Sequence, residues 1–184
     1  YPRVTLELDL THRMVDLVEE RVDVAIRLTK PVDSSLVARR LAPAPLTLVA
    51  SPGYLDRAGR PTCPADLVSH DCVRDTNFRF DPSWPFRVDG RSVHIKVTGS
   101  VRANSPLMVR DLAMDGLGIA LTPRIVAIAE VRAGRLEELL PGTVDAGWSV
   151  YAVTSQRRLL AGRTRAFIDH LSGCLGDPSG AQYS

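Results

Sequence analysis

Apolar positions change their period several times along this chain, and each change marks a predicted element. Residues 4–10 (Val4-Thr5-Leu6-Glu7-Leu8-Asp9-Leu10) alternate at period two, which predicts a strand. Residues 11–21 shift to helical spacing, with Met14, Val15, Leu17 and Val18 on the apolar side. Residues 23–28 return to a strand. A strand, a helix and a second strand predict a βαβ unit with a parallel sheet and a right-handed crossover. After the polar turn Lys30-Pro31-Val32-Asp33, residues 36–41 and 46–50 read as extended. Prolines and glycines from Ser51 onward punctuate two short helices, 53–58 and 64–69, and a strand at 72–75. Asp89-Gly90 between alternating segments predicts a hairpin over 86–97. Further on come a helix at 123–133, strands near 136–139 and 148–154, and a helix at 159–171 with Leu160, Phe167, Ile168 and Leu171 inward. The Gly/Ser/Pro-rich stretch from Gly173 predicts a tail that is disordered over 176–184.

The most instructive run is residues 104–123. Asn104 or Ser105 suits a helix N-cap, and Pro106 then occupies the first helical position, where a missing N–H costs nothing. Leu107, Val109, Leu112, Ala113 and Leu117 supply a rough apolar face, and Gly116 stops the helix in the left-handed conformation of a C-cap. Gly118 to Leu121 is a short apolar strand, and Thr122-Pro123 starts the next helix. A capped helix N-terminus beside a strand end is where α/β proteins hold small polar ligands, so this run points to a binding cleft.

Composition narrows the class. With 184 residues the chain suits one large domain or two smaller lobes. It is 45% hydrophobic and 24% charged, the balance of a globular protein, and no apolar run approaches the roughly 20 residues of a bilayer crossing. A net charge of +2 with interleaved acids and bases gives the chain itself no strong phosphate-binding face. Cys63, Cys72 and Cys174 are odd in number and lack a CxxC, which favours reduced thiols and a cytoplasmic setting.

Nothing in the motifs argues for catalysis. His12, His70, His94 and His170 fall on different predicted elements without metal-ligand spacing, so no metal or other cofactor is expected. There is no G-x-S-x-G elbow. Gly116-x-Gly118 follows a helix and precedes a strand, the wrong order for a dinucleotide fingerprint. Ser105 keeps two readings, a plain cap or a cap whose hydroxyl and neighbouring amides bind an anion or carbonyl. Thr11-His12 and Thr76-Asn77 are turn formers that follow predicted strands. Arg27, at a strand end, suits either a ligand carboxylate or a neighbouring Asp23 or Asp33. Trp84 and Phe86 near the hairpin are core residues first.

Taken in order, several segments resemble the effector-binding domain of LysR-type transcriptional regulators. They are Tyr1-Pro2-Arg3-Val4-x-Leu6-x-Leu8, Val15 through Arg27, Leu36-Val37-Ala38-Arg39-Arg40-Leu41 and Val49-Ala50-Ser51-Pro52-Gly53-Tyr54-Leu55. Gly59-Arg60-Pro61-x-x-Pro64-x-Asp66-Leu67-x-x-His70-Asp71-Cys72 and Asp115-Gly116-Leu117-Gly118-Ile119-Ala120-Leu121-x-Pro123 complete the match over residues 1–171. The resemblance implies an α/β, periplasmic-binding-protein-like fold of two lobes joined by two crossover strands, near residues 47–50 and 150–154. Lobe I would be 1–47 and 151–175, lobe II 48–150, and the first strand and helix of lobe I would be lacking from this chain.

The same resemblance implies a small-molecule effector in the cleft between the lobes. Thr11, His12, Thr29, Thr76, Asn77, Phe78, Asn104 and Ser105 would face it, with Arg27 the nearest cation, so the effector is expected to be an anion or a polar carbonyl compound. It further implies a homodimer or homotetramer in which a lobe I helix packs on a lobe II helix of the partner. DNA would be bound through an N-terminal winged helix-turn-helix absent from this chain, and no membrane is involved. Rival readings are a solute-binding protein of the same fold serving transport, and an enzyme on this fold, for which no nucleophile or acid–base pair is found.

Overall fold

A computed structural model of the chain describes residues 4–11, 16–29, 36–78, 80–145, 147–155 and 161–176. In chain order the strands and helices are β1 (Ala25–Thr29), β2 (Leu36–Pro43), β3 (Leu46–Ala50), α1 (Pro52–Ala58), β4 (Cys72–Asp75), β5 (Ser83–Val88), β6 (Arg91–Lys96) and β7 (Arg102–Ala103). They continue with α2 (Pro106–Met114), β8 (Ile119–Pro123), α3 (Arg124–Arg132), β9 (Glu137–Leu139), β10 (Ser149–Ser155) and α4 (Gly162–Gly176). A single 3₁₀ segment, Pro64–Ser69, lies between α1 and β4. The chain divides into two units, Tyr1–Ala44 with Trp148–Ser184, and Pro45–Gly147. The passages fall at Ala44/Pro45 and Gly147/Trp148, slightly ahead of β3 and β10, because each of those strands pairs along its length inside one unit.

The first unit holds a three-stranded sheet in the order β1-β10-β2, antiparallel throughout. Leu41, Ala152 and the α4 residue Ile168 form one buried cluster, and Leu17, Tyr151 and Val153 form another. Here the structure corrects the sequence reading. Residues 4–10 form no strand and pair with no described strand, and Leu6, Leu8 and Leu10 are 56%, 73% and 93% exposed. Alternation alone does not make a strand, since a ladder needs a neighbour to satisfy its backbone groups. The expected parallel βαβ arrangement is therefore replaced by an antiparallel sheet.

The helix expected over 11–21 is, among its described residues, one turn. Asp16 opens it by accepting the amides of Val18 (2.8 Å) and Glu19 (3.1 Å), bonds that hold its carboxyl below the ordinary aspartate range. Arg21 closes it at φ +56°, in the left-handed region. Residues 12–15 lie outside the described residues. At the other end α4 runs through Gly173 to Gly176, past the predicted stop at 171, and the tail beyond 176 lies outside the described residues.

The second unit carries the parallel pairing. Its five-stranded sheet has the order β7-β4-β8-β3-β9, with β4 parallel to both β7 and β8 and β3 antiparallel to β8 and β9. One face packs on α2 and α3 through Val49, Val73, Ala120, Val109, Ala113 and Ala127. Val109 and Ala113 carry the buried side of α2, whereas Leu107, expected on that face, is 50% exposed. The β5–β6 hairpin turns at Asp89-Gly90, where both residues have positive φ (+49° and +76°), as a tight two-residue turn requires. It starts at Ser83, earlier than predicted, and buries Trp84 and Phe86 completely.

Candidate functional site

The parallel strands β4 and β7 end side by side, with Asp75 in register with Ala103. In parallel sheets of α/β proteins, ligands collect beyond the carboxyl ends of the strands. The residues that follow both strands are tied together. The Thr76 amide donates to the Ala103 carbonyl (2.9 Å), as does the Thr76 hydroxyl (3.3 Å). The Asn77 amide donates to Asp75 Oδ1 (2.9 Å), and the Asn77 side-chain amide donates to the Asn104 carbonyl (2.6 Å). Thr76, Asn77 and Asn104 thus form one hydrogen-bonded, exposed corner.

Ser105 continues that corner into α2. Its backbone is extended (φ −134°, ψ 120°), it takes the N-cap position before Pro106, and its carbonyl accepts the Val109 amide at 2.9 Å. Its hydroxyl makes no cap hydrogen bond, so the plain-cap reading of this side chain fails. The amides of Leu107 and Met108 have no acceptor within the helix, as in any first turn, and the aligned peptide dipoles place partial positive charge there. A half-buried hydroxyl, two hydrogen-bonding amides and a side-chain carboxamide suit one carboxylate or carbonyl oxygen.

The other sequence-derived residues fall elsewhere. Phe78 follows directly but is 5% exposed, its ring stacked on Phe80 with centroids 4.9 Å apart. Thr11, Arg27 and Thr29 belong to the first unit. Thr11 is exposed, while Arg27 and Thr29 are half-buried on β1 opposite Tyr151 and Ser149, and all three already have interactions of their own. His12 lies outside the described residues.

Sequence reasoning missed a charged cluster beside the corner. Arg74 of β4 stands in register with Arg102 of β7. Arg74 Nη1 pairs with Asp81 Oδ2 at 3.6 Å, while Arg74 Nε and Asp81 Oδ1 are buried without a hydrogen-bond partner. Burial pushes the Asp81 carboxyl upward, opposed first by Arg74 and then by Arg102. The available signal was an arginine two residues before Asn104, at the start of the short strand that leads into the corner.

Of the histidines, His70 is buried with Nδ1 3.0 Å from the Tyr54 hydroxyl, which also accepts the Asp71 amide (3.1 Å). His94 is exposed on β6, and His170 lies on α4 beside Cys174. Burial pushes the Cys72 thiol up to about 12, which keeps it protonated and unreactive. Among the described residues no three His, Cys, Asp or Glu side chains gather as a metal site, and no helix is long and apolar enough to cross a membrane.

The profile of the LysR substrate binding domain matches residues 1–174. The HTH-type transcriptional regulator PtxR of Pseudomonas aeruginosa is 34% identical over 178 residues, covering 96% of this chain and 56% of PtxR. The chain therefore spans little more than half the length of that relative. The regulatory domain of CrgA, a LysR-type transcriptional regulator from Neisseria meningitidis, superposes with a TM-score of 0.74 at 29% identity, covering 86% of this chain and 78% of that one. The effector domain of the transcriptional regulator AmpR of Pseudomonas aeruginosa gives 0.79 at 25% identity, covering 96% and 83%. These similarities are to regulators, and none of the three is a transport protein or an enzyme by its name. With the profile matching nearly the whole chain, this protein belongs to the LysR substrate-binding domain family, the effector-sensing domain of LysR-type regulators.

Proposed function

We propose that this chain senses a small anionic or carbonyl-bearing effector at the corner built from Thr76, Asn77, Asn104 and Ser105. In the whole protein, effector binding is passed to a DNA-binding domain that controls transcription in the cytoplasm. The observation that carries the reading is the Ser105 hydroxyl, placed at the N-terminus of α2 beside two strand ends yet not committed to capping the helix. The role is one of binding, not catalysis. Thr11, His12, Thr29 and Phe78 stay in the proposal as further contributors to effector recognition.

Ser105→Ala tests the site. A hydrogen bond to a charged group contributes about 1.5–3 kcal/mol, so calorimetry is expected to show effector affinity falling by at least about tenfold. Thermal stability should hardly change, because the hydroxyl caps nothing. Unaltered affinity would remove Ser105 from the site.

We further propose a homodimer, the repeating unit of any tetramer, in which the surface around residues 14–18 packs on residues 105–115 of the partner. Val18, Leu107 and Met108 are 54%, 50% and 51% exposed, and an exposed apolar side chain on each surface is what such a contact requires. Sedimentation is expected to show a dimer for the unaltered chain and a monomer for Val18→Glu. A dimer that survives this change places the interface elsewhere.

A further inference from the structure

We infer that Arg102, supported by Arg74, is the cation that selects a carboxylate effector, in place of Arg27. The inference rests on the proposed corner and names the ligand class it takes. Its starting point is a pair of arginines that share one carboxylate, Asp81. Arg74 and Arg102 are register partners on neighbouring parallel strands, so their side chains leave the same face of the sheet roughly 4.8 Å apart at the backbone. Like charges placed directly across a sheet repel one another. Asp81 lies close to both arginines but makes its ion pair with Arg74. Among the described residues no hydrogen bond or ion pair reaches the Arg102 guanidinium, and Asp81 acts on it only through space, after Arg74.

The position of that charge connects it to the corner. Arg102 and Asn104 are two residues apart, about 6.6 Å along an extended chain, and Arg74 and Thr76 are related in the same way. Asn104 and Thr76 follow directly on the last residues of β7 and β4, so the arginines sit one step before the residues that close the corner. A guanidinium on a flexible stem covers that distance, and its planar donors match a carboxylate in a way that a neutral amide or ketone does not reward. Arg27 offers no such arrangement: it belongs to the other unit and is already engaged. Arg102 is exposed, so removing its charge leaves the core of the unit untouched.

The test is calorimetry on the full 184-residue chain with acetate, succinate and benzoate, each beside its primary amide. Arg102→Gln should weaken the best carboxylate at least tenfold and leave its amide unchanged, and Arg102→Lys should recover part of the loss. Carboxylate affinity within twofold of the unaltered chain in Arg102→Gln would overturn the inference. If Ser105→Ala alone weakens binding, the corner stands and the role of Arg102 falls. If Arg102→Gln alone weakens it, the arginine site stands and the corner falls. Heat from neither carboxylates nor amides overturns both.

Discussion

Gly118→Ala is expected to destabilise the second unit by more than about 3 kcal/mol, a large share of the stability of an ordinary domain. Gly118 has φ +156°, a conformation that side-chain-bearing residues rarely adopt. A Cβ there would lie 2.3 Å from the Asp71 carbonyl oxygen and 2.8 Å from its carbon. That carbonyl cannot retreat, because it accepts the Ile119 amide at 2.9 Å where β8 joins β4. Gly53→Ala is the matched control: it sits in α1 with open space around the position an alanine methyl would take, and without positive φ. There alanine is expected to be neutral or to add about 0.5–1 kcal/mol. Urea denaturation of the two variants separates the cases, and a Gly118→Ala protein as stable as its parent would contradict the account.

The same glycine shows which parts of the fold were legible in the sequence. Residues 104–123 obey local rules: proline at the first helical position, Gly116 at φ +79° after α2, and an apolar run for β8. Each rule acts within a few residues of its own position, so the helix and strand follow directly. The Asp89-Gly90 turn is readable for the same reason. Residues 4–10 fail because a strand is a relation between two segments, and their alternation contains no information about a partner. The site divides along the same line. Ser105 is visible because caps and prolines are local, whereas Arg74 and Arg102 meet only through a register between strands 28 residues apart in sequence, from 74 to 102. Phe78 suggests a ligand contact by its place after a strand, but its stacking on Phe80 depends on a loop path that no local pattern specifies.

Trp84 carries the other large expected effect, and two substitutions there should separate packing from polarity. Its side chain is fully buried on β5 opposite Ile95, and its indole Nε1 has no hydrogen-bond partner. Trp84→Ala removes the whole side chain from a filled core, at a cost of about 3–5 kcal/mol. Trp84→Phe also leaves a smaller cavity, but it deletes a buried unsatisfied donor that itself costs about 1–3 kcal/mol. These terms oppose each other, so the phenylalanine variant is expected within about 1 kcal/mol of the parent. Trp148, the chain's other tryptophan, belongs to the first unit and remains as an independent reporter. The comparison bears on function because β5 begins just after the segment that bears Asp81, and the Val97 amide ties that segment to β6 through the Pro82 carbonyl at 2.9 Å. Loosening Trp84 should therefore weaken carboxylate binding in proportion to lost stability, while Trp84→Phe should retain it. A phenylalanine variant as unstable as the alanine one would show that the indole N–H is satisfied in solution, with its hydrogen bond part of what holds the hairpin.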